Sequence, residues 1–385
     1  MAEWRRPCHL RAGILCYNQL KNLIAYRDHD SYDILTHMIR FVLAILAFIH
    51  FLCLPFEISA RTVTDSAGRE VDVPDNIKRV YAAGPPASVL IYVLAHEKLT
   101  GWPRAPRSYE RPYIAGPFRD LPETGRLTGR GDTANLEVVL RTRPDLIVDF
   151  GSVKDTYISL ANAVQEQTGI PYILMDGRFE NTPRALRLMG DILGAKKRSE
   201  TLAKYVENLF SDLDEALIRI KESNRPRVYL ARGPAGLETG LKGSINTEII
   251  ERAGGRNVAD PGPGAKRRGI VQTSIEQVIV ANPDTIITWD RNFYDQVRNS
   301  PLWSDIDAVK RRRVYLSPTA PFGWIDRPPS INRIFGLKWL ASLFYPELFN
   351  IDLTMETRNF YKLFYHVELT DNELDGLIKW ANGQN

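Results

Sequence analysis

One eighteen-residue pattern occurs twice in this chain, and no other feature restricts the architecture as much. Residues 134–151 read Ala-Asn-Leu-Glu-Val-Val-Leu-Arg-Thr-Arg-Pro-Asp-Leu-Ile-Val-Asp-Phe-Gly, and residues 273–290 read Thr-Ser-Ile-Glu-Gln-Val-Ile-Val-Ala-Asn-Pro-Asp-Thr-Ile-Ile-Thr-Trp-Asp. Glu137 aligns with Glu276, Pro144-Asp145 with Pro283-Asp284, and Leu146-Ile147-Val148 with Thr285-Ile286-Ile287, always 139 residues apart. Each copy predicts a short amphipathic helix that stops before Pro-Asp, because proline disfavours the helical conformation in the residue before it. An apolar, β-branched run follows, suited to a strand buried on both faces. The strands end in Phe150-Gly151 and Trp289-Asp290, at the edge of a parallel α/β sheet where ligands bind. A unit repeated at this distance predicts two similar lobes whose strand ends face each other across a cleft.

Length and composition fit this reading. The 385 residues suffice for two cored domains, and 44% hydrophobic with 25% charged residues is ordinary for a soluble globular protein. A net charge of +4 is too small to point to nucleic acid. The start of the chain differs. Met38-Ile39-Arg40 opens an almost unbroken apolar run from Phe41 to Leu54, followed by Ile58-Ser59-Ala60. That is the layout of a secretory signal, Met38–Ala60, and its core is short for a membrane span. Residues 1–37 ahead of it are expected to be a spurious extension from an upstream start codon. Cleavage after Ala60 removes Cys8, Cys16 and Cys53 and leaves only His96 and His366. The exported chain then has no disulfide and no thiolate or multi-histidine metal site.

The remaining residues divide into a first lobe (61–180), connecting helices (181–224) and a second lobe (225–385). In the first lobe Thr62–Pro74 reads as a hairpin and Val80–Ala83 as the first central strand. Residues 101–133 are loop-rich and carry Arg104, Arg107, Arg111, Arg119, Arg126 and Arg130; a long irregular segment in a compact domain is often functional. Apolar spacing from Thr182 to Ser223 predicts two helices, the second long enough to span the lobes. The second lobe opens with strand Arg227–Ala231, a Gly-rich loop over 232–240 and a helix over Ser244–Ala253. A rigid loop, 319–329, follows strand Val314–Leu316. The last helix starts with Thr370-Asp371-Asn372-Glu373, a capping-box pattern.

The hairpin, the paired Leu136-Glu137…Pro144-Asp145 and Ile275-Glu276…Pro283-Asp284 units and the long connecting helix, in this order, resemble periplasmic substrate-binding proteins of the iron–siderophore and vitamin B12 class. The resemblance covers nearly all of residues 61–385. It implies an α/β fold of two Rossmann-like lobes with parallel-rich sheets joined by a long helix. It also implies a monomer in the periplasm that holds a ligand between its lobes and delivers it to an inner-membrane ABC importer. Glu137 and Glu276 match the glutamates that dock on the permease dimer, and their equivalent places in the repeat agree with that; the residues alone also allow each to support the first turn of its helix.

Aromatics and arginines near strand ends supply the candidate ligand contacts: Tyr81, Trp102, Phe150, Trp289, Phe322 and Trp324, with Arg104, Arg130, Arg178, Arg232 and Arg327. Aromatic walls bury apolar ligand surface, and guanidinium forks neutralise carboxylates, catecholates or oxyanions. Arg232 and Arg327 lead, because each lies on a Gly- or Pro-shaped loop after a strand. The set fits an anionic metal chelate such as a ferric siderophore. The Phe322-Gly323-Trp324 loop is also similar to a family branch that takes smaller cargo, including molybdate, tungstate or nickel chelates. No cofactor, catalytic residue or protein-held metal is expected. An enzyme on paired Rossmann-like lobes lacks support: Lys242 is followed by Gly243 rather than Ser or Thr, and no G-x-G-x-x-G follows a strand.

Overall fold

The computed structural model describes residues 38–45, 60–129, 136–260 and 269–382. Residues 38–45 are helical, while Arg130 and most of the segment read as a signal lie outside the described residues. Ser59–Asn385 forms one compact unit. Among the described residues no helix is long and apolar enough to cross a membrane.

Strands β1 (Ala60–Thr64) and β2 (Glu70–Pro74) pair as the expected antiparallel hairpin. The first parallel sheet has the order β3 (Val80–Ala82), β4 (Leu146–Gly151), β5 (Tyr172–Asp176). Its connections contain α1 (Pro85–Ala95), α2 (Leu136–Thr142) and α3 (Asp155–Thr168). Next come α4 (Thr182–Ile192) and the long α5 (Lys196–Leu217). Then follow β6 (Arg227–Ala231), β7 (Glu238–Gly240), α6 (Glu248–Arg252), β8 (Arg256–Asn257), β9 (Ile270–Gln272) and α7 (Ile275–Ala281). The chain continues through β10 (Thr285–Thr288), α8 (Arg291–Val297), α9 (Asp307–Lys310) and β11 (Val314–Leu316). Helices α10 (Arg333–Phe344), α11 (Leu353–Tyr365) and α12 (Asp371–Ala381) close it. The second parallel sheet has the order β11-β10-β6-β8, and β7 pairs with β9 antiparallel beside it.

The repeated sequence folds as a repeated structure. Helices α2 and α7 are each seven residues long and start 139 positions apart, as do β4 and β10. Both helices are followed by a residue with positive φ, Arg143 (45°) and Asn282 (35°), just before the proline. The aspartate then anchors the neighbouring strand. Asp145 Oδ2 accepts from the backbone N–H of Lys78 and Arg79 at 2.7 and 2.9 Å, and the Asp284 carboxylate accepts from Arg227 N at 3.1 Å. In return the Arg79 guanidinium donates to Thr142 O and that of Arg227 to Ala281 O, covering carbonyls left open at each helix C-terminus. Pro-Asp thus ends a helix and starts the adjacent strand in one step.

The helix expected over Ser244–Ala253 is shorter. Thr247 Oγ1 donates to Leu241 O at 2.8 Å, and Asn246 N donates to Ser244 Oγ. These local bonds hold 244–247 in a turn that competes with helix.

One buried arginine ties the loop after β5 to the segment after β7. Arg333, at the start of α10, is 1% exposed. It donates to Gly177 O (2.9 Å) after β5, and to Ile245 O (2.6 Å) and Glu248 Oε1 (3.0 Å) beyond β7. Its guanidinium also lies over the Phe179 ring, and Phe179 N donates to the same Glu248 oxygen. The backbones approach closely here: a Cβ on Gly177 would lie 2.8 Å from Gly151 Cα and 3.2 Å from Ile245 Cδ1. On the far side Ser330 Oγ donates to Pro86 O.

A second polar junction sits at the N-terminal end of α5. Arg198 donates to Val93 O (2.6 Å) and Leu363 O (2.8 Å), so it covers open carbonyls near the ends of α1 and α11. His366, the left-handed C-cap of α11, lies 3.0 Å from Arg198 Nη2 and 3.2 Å from His96 Nδ1. Burial, then the Arg198 charge, then His96, push the His366 pKa down to about 4. Unfolding restores an ordinary imidazole near 6.5, so the unfolded state binds the extra proton. This contribution to stability is complete above about pH 6.5 and is lost as pH falls towards 4. Thermal melts of the wild type should show this acid loss, and His366→Asn, which tolerates the left-handed cap, should flatten it; parallel pH profiles for the two would refute the assignment.

Candidate functional site

Strand β10 delivers Trp289 and Asp290 at its C-terminal end, and three segments converge there. Residues 104–110 of the Arg-rich segment form one wall, the start of α8 a second, and the 319–327 loop a third. They enclose a cavity of about 290 Å³, lined among others by Arg104, Arg107, Tyr109, Trp289, Arg291 and Arg327. Trp380 of the C-terminal helix completes its rim.

Each wall is held by chemistry that the local sequence dictates. Glu110 is buried and organises the first. It accepts both guanidinium nitrogens of Arg104, at 3.0 and 2.9 Å, and the backbone N–H of Arg107 at 2.8 Å. Arg104 and Arg107 therefore stand at the surface of a fixed turn. In the second wall Asp290 caps α8 by accepting from Asn292 N and Phe293 N, which orients Arg291.

Arg232 organises the third wall. Its Nε donates to Glu238 Oε1 at 3.0 Å, and its Nη1 pairs with the buried Asp326. Asp326 also accepts from Asn246 Nδ2 (3.0 Å) and from the backbone N–H of Arg327 (2.8 Å). Gly323 is obligatory in this fold of the loop, since a Cβ there would lie 2.0 Å from Asp326 O. Arg327 adopts φ 72°, a left-handed conformation that costs a non-glycine residue about 1–2 kcal/mol. The guanidinium of Arg232 packs over one part of Trp289 (4.5 Å to the ring centroid), and that of Arg327 lies 5.8 Å from the same ring.

Of the residues singled out from sequence, Arg104, Trp289 and Arg327 come together in this cavity. Arg232 stands behind Trp289 with its charge engaged by two carboxylates. Tyr81, Phe150 and Trp324 are fully packed in the core, because central strands and the inner side of the 319–329 loop turn their largest side chains inward. Tyr81 Oη donates to Thr124 O, and Trp324 Nε1 to Tyr361 Oη. Trp102 and Phe322 are buried against each other, 5.9 Å between ring centroids, with Tyr92 beside both. Arg178 is exposed and lines a different cavity, with Arg225 and Arg252. Sequence reasoning named Arg107 only as one of six loop arginines, and missed Tyr109, Glu110, Arg291 and Trp380. Arg291 follows the strand end directly and was within reach of the strand-end rule; Trp380 has no local signal.

Residues 92–321 match the periplasmic binding protein family. The chain belongs to this family: it is a substrate-binding component of an ABC importer rather than an enzyme. It is 25% identical over 329 residues to the molybdate-binding protein MolA of Haemophilus influenzae, covering 79% of this chain and 91% of that protein. It is 24% identical to the uncharacterized ABC transporter substrate-binding lipoprotein YvrC of Bacillus subtilis, over 76% of this chain and 88% of that one. Among solved structures, the ABC transporter solute binding protein from Sulfurospirillum deleyianum superposes with a TM-score of 0.74 at 29% identity, covering 83% of this chain and 99% of that chain. The two-lobed fold expected from the repeat is the fold of these proteins.

Arg327 is exposed, lines the cavity and makes no salt bridge among the described residues. Arg327→Ala should weaken binding of an anionic ligand by roughly 10–100-fold, the worth of one charge-assisted contact. Calorimetric titration against the wild type checks this, and equal affinities would remove Arg327 from the site.

Proposed function

We propose that this protein captures a compact oxyanion of the molybdate or tungstate class in the cavity at Trp289 and hands it to its permease. The observation that carries this reading is four arginines, Arg104, Arg107, Arg291 and Arg327, around a cavity of about 290 Å³. Guanidinium groups bind oxyanions through paired N–H donors. Among the described residues no group of three or more His, Cys, Asp or Glu is placed to hold a bare metal ion. The volume lies at the bottom of the range for sites of drug-sized ligands, which favours a small anion over a ferric siderophore. The relation to the molybdate-binding protein MolA points the same way.

A second reading, an anionic metal chelate, draws on Tyr109, Trp289 and Trp380, which line the same cavity and could bury an organic ligand's apolar surface. On either reading Met38–Ala60 acts as the export signal, with residues 1–37 ahead of it not part of the mature protein. Glu137 and Glu276 dock on the permease. Amino-terminal sequencing of the exported form should then begin near Arg61; a mature form retaining residues before Met38 would refute this.

Tryptophan fluorescence should respond to the ligand, since Trp289 lies against Arg327. The panel is molybdate, tungstate, a ferric siderophore and nickel chelates. Saturable quenching or enhancement with molybdate and tungstate is expected. A response to a chelate alone would move the assignment to the second reading, and no response, confirmed by calorimetry, would overturn both.

A further inference from the structure

The C-terminal helix reaches the cavity from the far end of the chain. The Thr370–Glu373 capping box starts α12, and Leu374, Leu377 and Ala381 bury one side of it in the main hydrophobic core. Their spacing of three and four residues is that of one helical face. Trp380 stands at the edge of that face and packs against a different cluster, the one around Tyr294 and Trp303 of the second lobe. Towards the other end of the helix, Tyr113 Oη donates to Glu373 O at 3.1 Å. Tyr113 ends the short helical turn Arg111–Tyr113, which follows Glu110 directly. Helix α12 is thus fixed beside the first wall of the cavity and against the second, and Trp380 is held at the rim between them.

The indole N–H of Trp380 is buried with no acceptor among the described residues. Nearly all buried polar groups in proteins are paired, and an orphan donor costs free energy. The ring is therefore not held there by its N–H. What the ring meets is a charge. The Arg291 guanidinium lies 5.9 Å from the Trp380 centroid and 5.9 Å from that of Tyr294. Both distances fall within the range of cation–π attraction, for which tryptophan is the strongest partner. Asp295 is the acidic neighbour of Arg291, at 3.6 Å, and its side chain is 56% exposed. An exposed pair of that length fixes a long side chain only loosely, which leaves the two rings to set where the guanidinium stands. A guanidinium held through its face keeps its planar N–H fork for partners at its edge. Arg327 has the same relation to Trp289, 5.8 Å from the ring centroid.

We infer that Trp380 is a positioning residue for ligand capture: it aims the Arg291 guanidinium at the anion in the cavity, which makes the C-terminal helix part of the binding site. This inference rests on the oxyanion reading and deepens it. Two tryptophans then present one arginine each, Trp289 presenting Arg327 and Trp380 presenting Arg291.

The test is a double-mutant cycle on the full chain, read by calorimetric titration with tungstate and molybdate. Trp380→Leu removes the π face and keeps apolar bulk, Trp380→Phe keeps a weaker face, and Arg291→Gln removes the charge. Trp380→Leu should weaken tungstate binding about threefold to tenfold, and Trp380→Phe by less. Arg291→Gln should lose at least about tenfold. The double variant Arg291→Gln, Trp380→Leu should bind no more weakly than Arg291→Gln alone, because the ring acts only through the charge it aims. Wild-type affinity in Trp380→Leu overturns the inference. So does a double variant in which the two losses multiply, since Trp380 then touches the ligand itself or acts on the fold at large. Melting temperatures are measured alongside; if Trp380→Leu melts well below the wild type, the same cycle built on Trp380→Phe decides. Failure of the wild type to bind either anion overturns the oxyanion reading and this inference with it, whereas binding without coupling between positions 291 and 380 overturns the inference alone.

Discussion

The guanidinium of Arg333 is the interaction on which the cleft depends. It is buried, and burying a cation is costly unless its donors and charge are both met. They are met only when the loop after β5, the turn at Ile245 and the Glu248 carboxylate stand in one arrangement. Rotating the lobes apart would strand the cation and a carboxylate whose own pKa is already raised by burial. Removing one partner of such a pair typically costs about 3–5 kcal/mol. The buried Trp102–Phe322 contact is a second tie between the first and second halves of the chain.

The loops that line the cavity share a pattern. In each, a carboxylate is spent on holding an arginine or a turn in place: Glu110 for Arg104 and Arg107, Asp326 for Arg232 and the backbone of Arg327, Asp290 for the start of α8. Arg232 and Arg327 look alike in sequence, each on a loop after a strand. The structure separates them. One ties its loop down, and the other rides on that loop in a strained backbone conformation and lines the cavity.

This separation shows what the sequence made legible and what it did not. The repeat, the Pro-Asp hinge between helix and strand, and the Thr370–Glu373 capping box were readable because their partners lie within a few residues or recur at a fixed interval. Trp289 and Arg327 were singled out because strand ends in parallel sheets face ligands, and the structure brings both to one cavity. Tyr81, Phe150 and Trp324 satisfied the same rule, yet they point into the core. The face on which a side chain emerges depends on partners far along the chain, such as Thr124 for Tyr81 and Tyr361 for Trp324. Arg333 gave no sign at all: it sits in an apolar helix, and its partners come from residues 177, 245 and 248.

The Glu110 carboxylate gives the cavity the character of an ion exchanger already loaded with its own counter-ion. On the oxyanion reading, an anion reaching Arg104 would not meet a bare cation; it would compete with Glu110 for donors already in use. Affinity would then be set by the difference between two anions for the same guanidinium. The cavity lining holds four arginines against two carboxylates, Glu110 and Asp290, and Arg291 also pairs with Asp295 at 3.6 Å. Like an exchange resin, such a site would rank anions by charge density before it ranked them by shape.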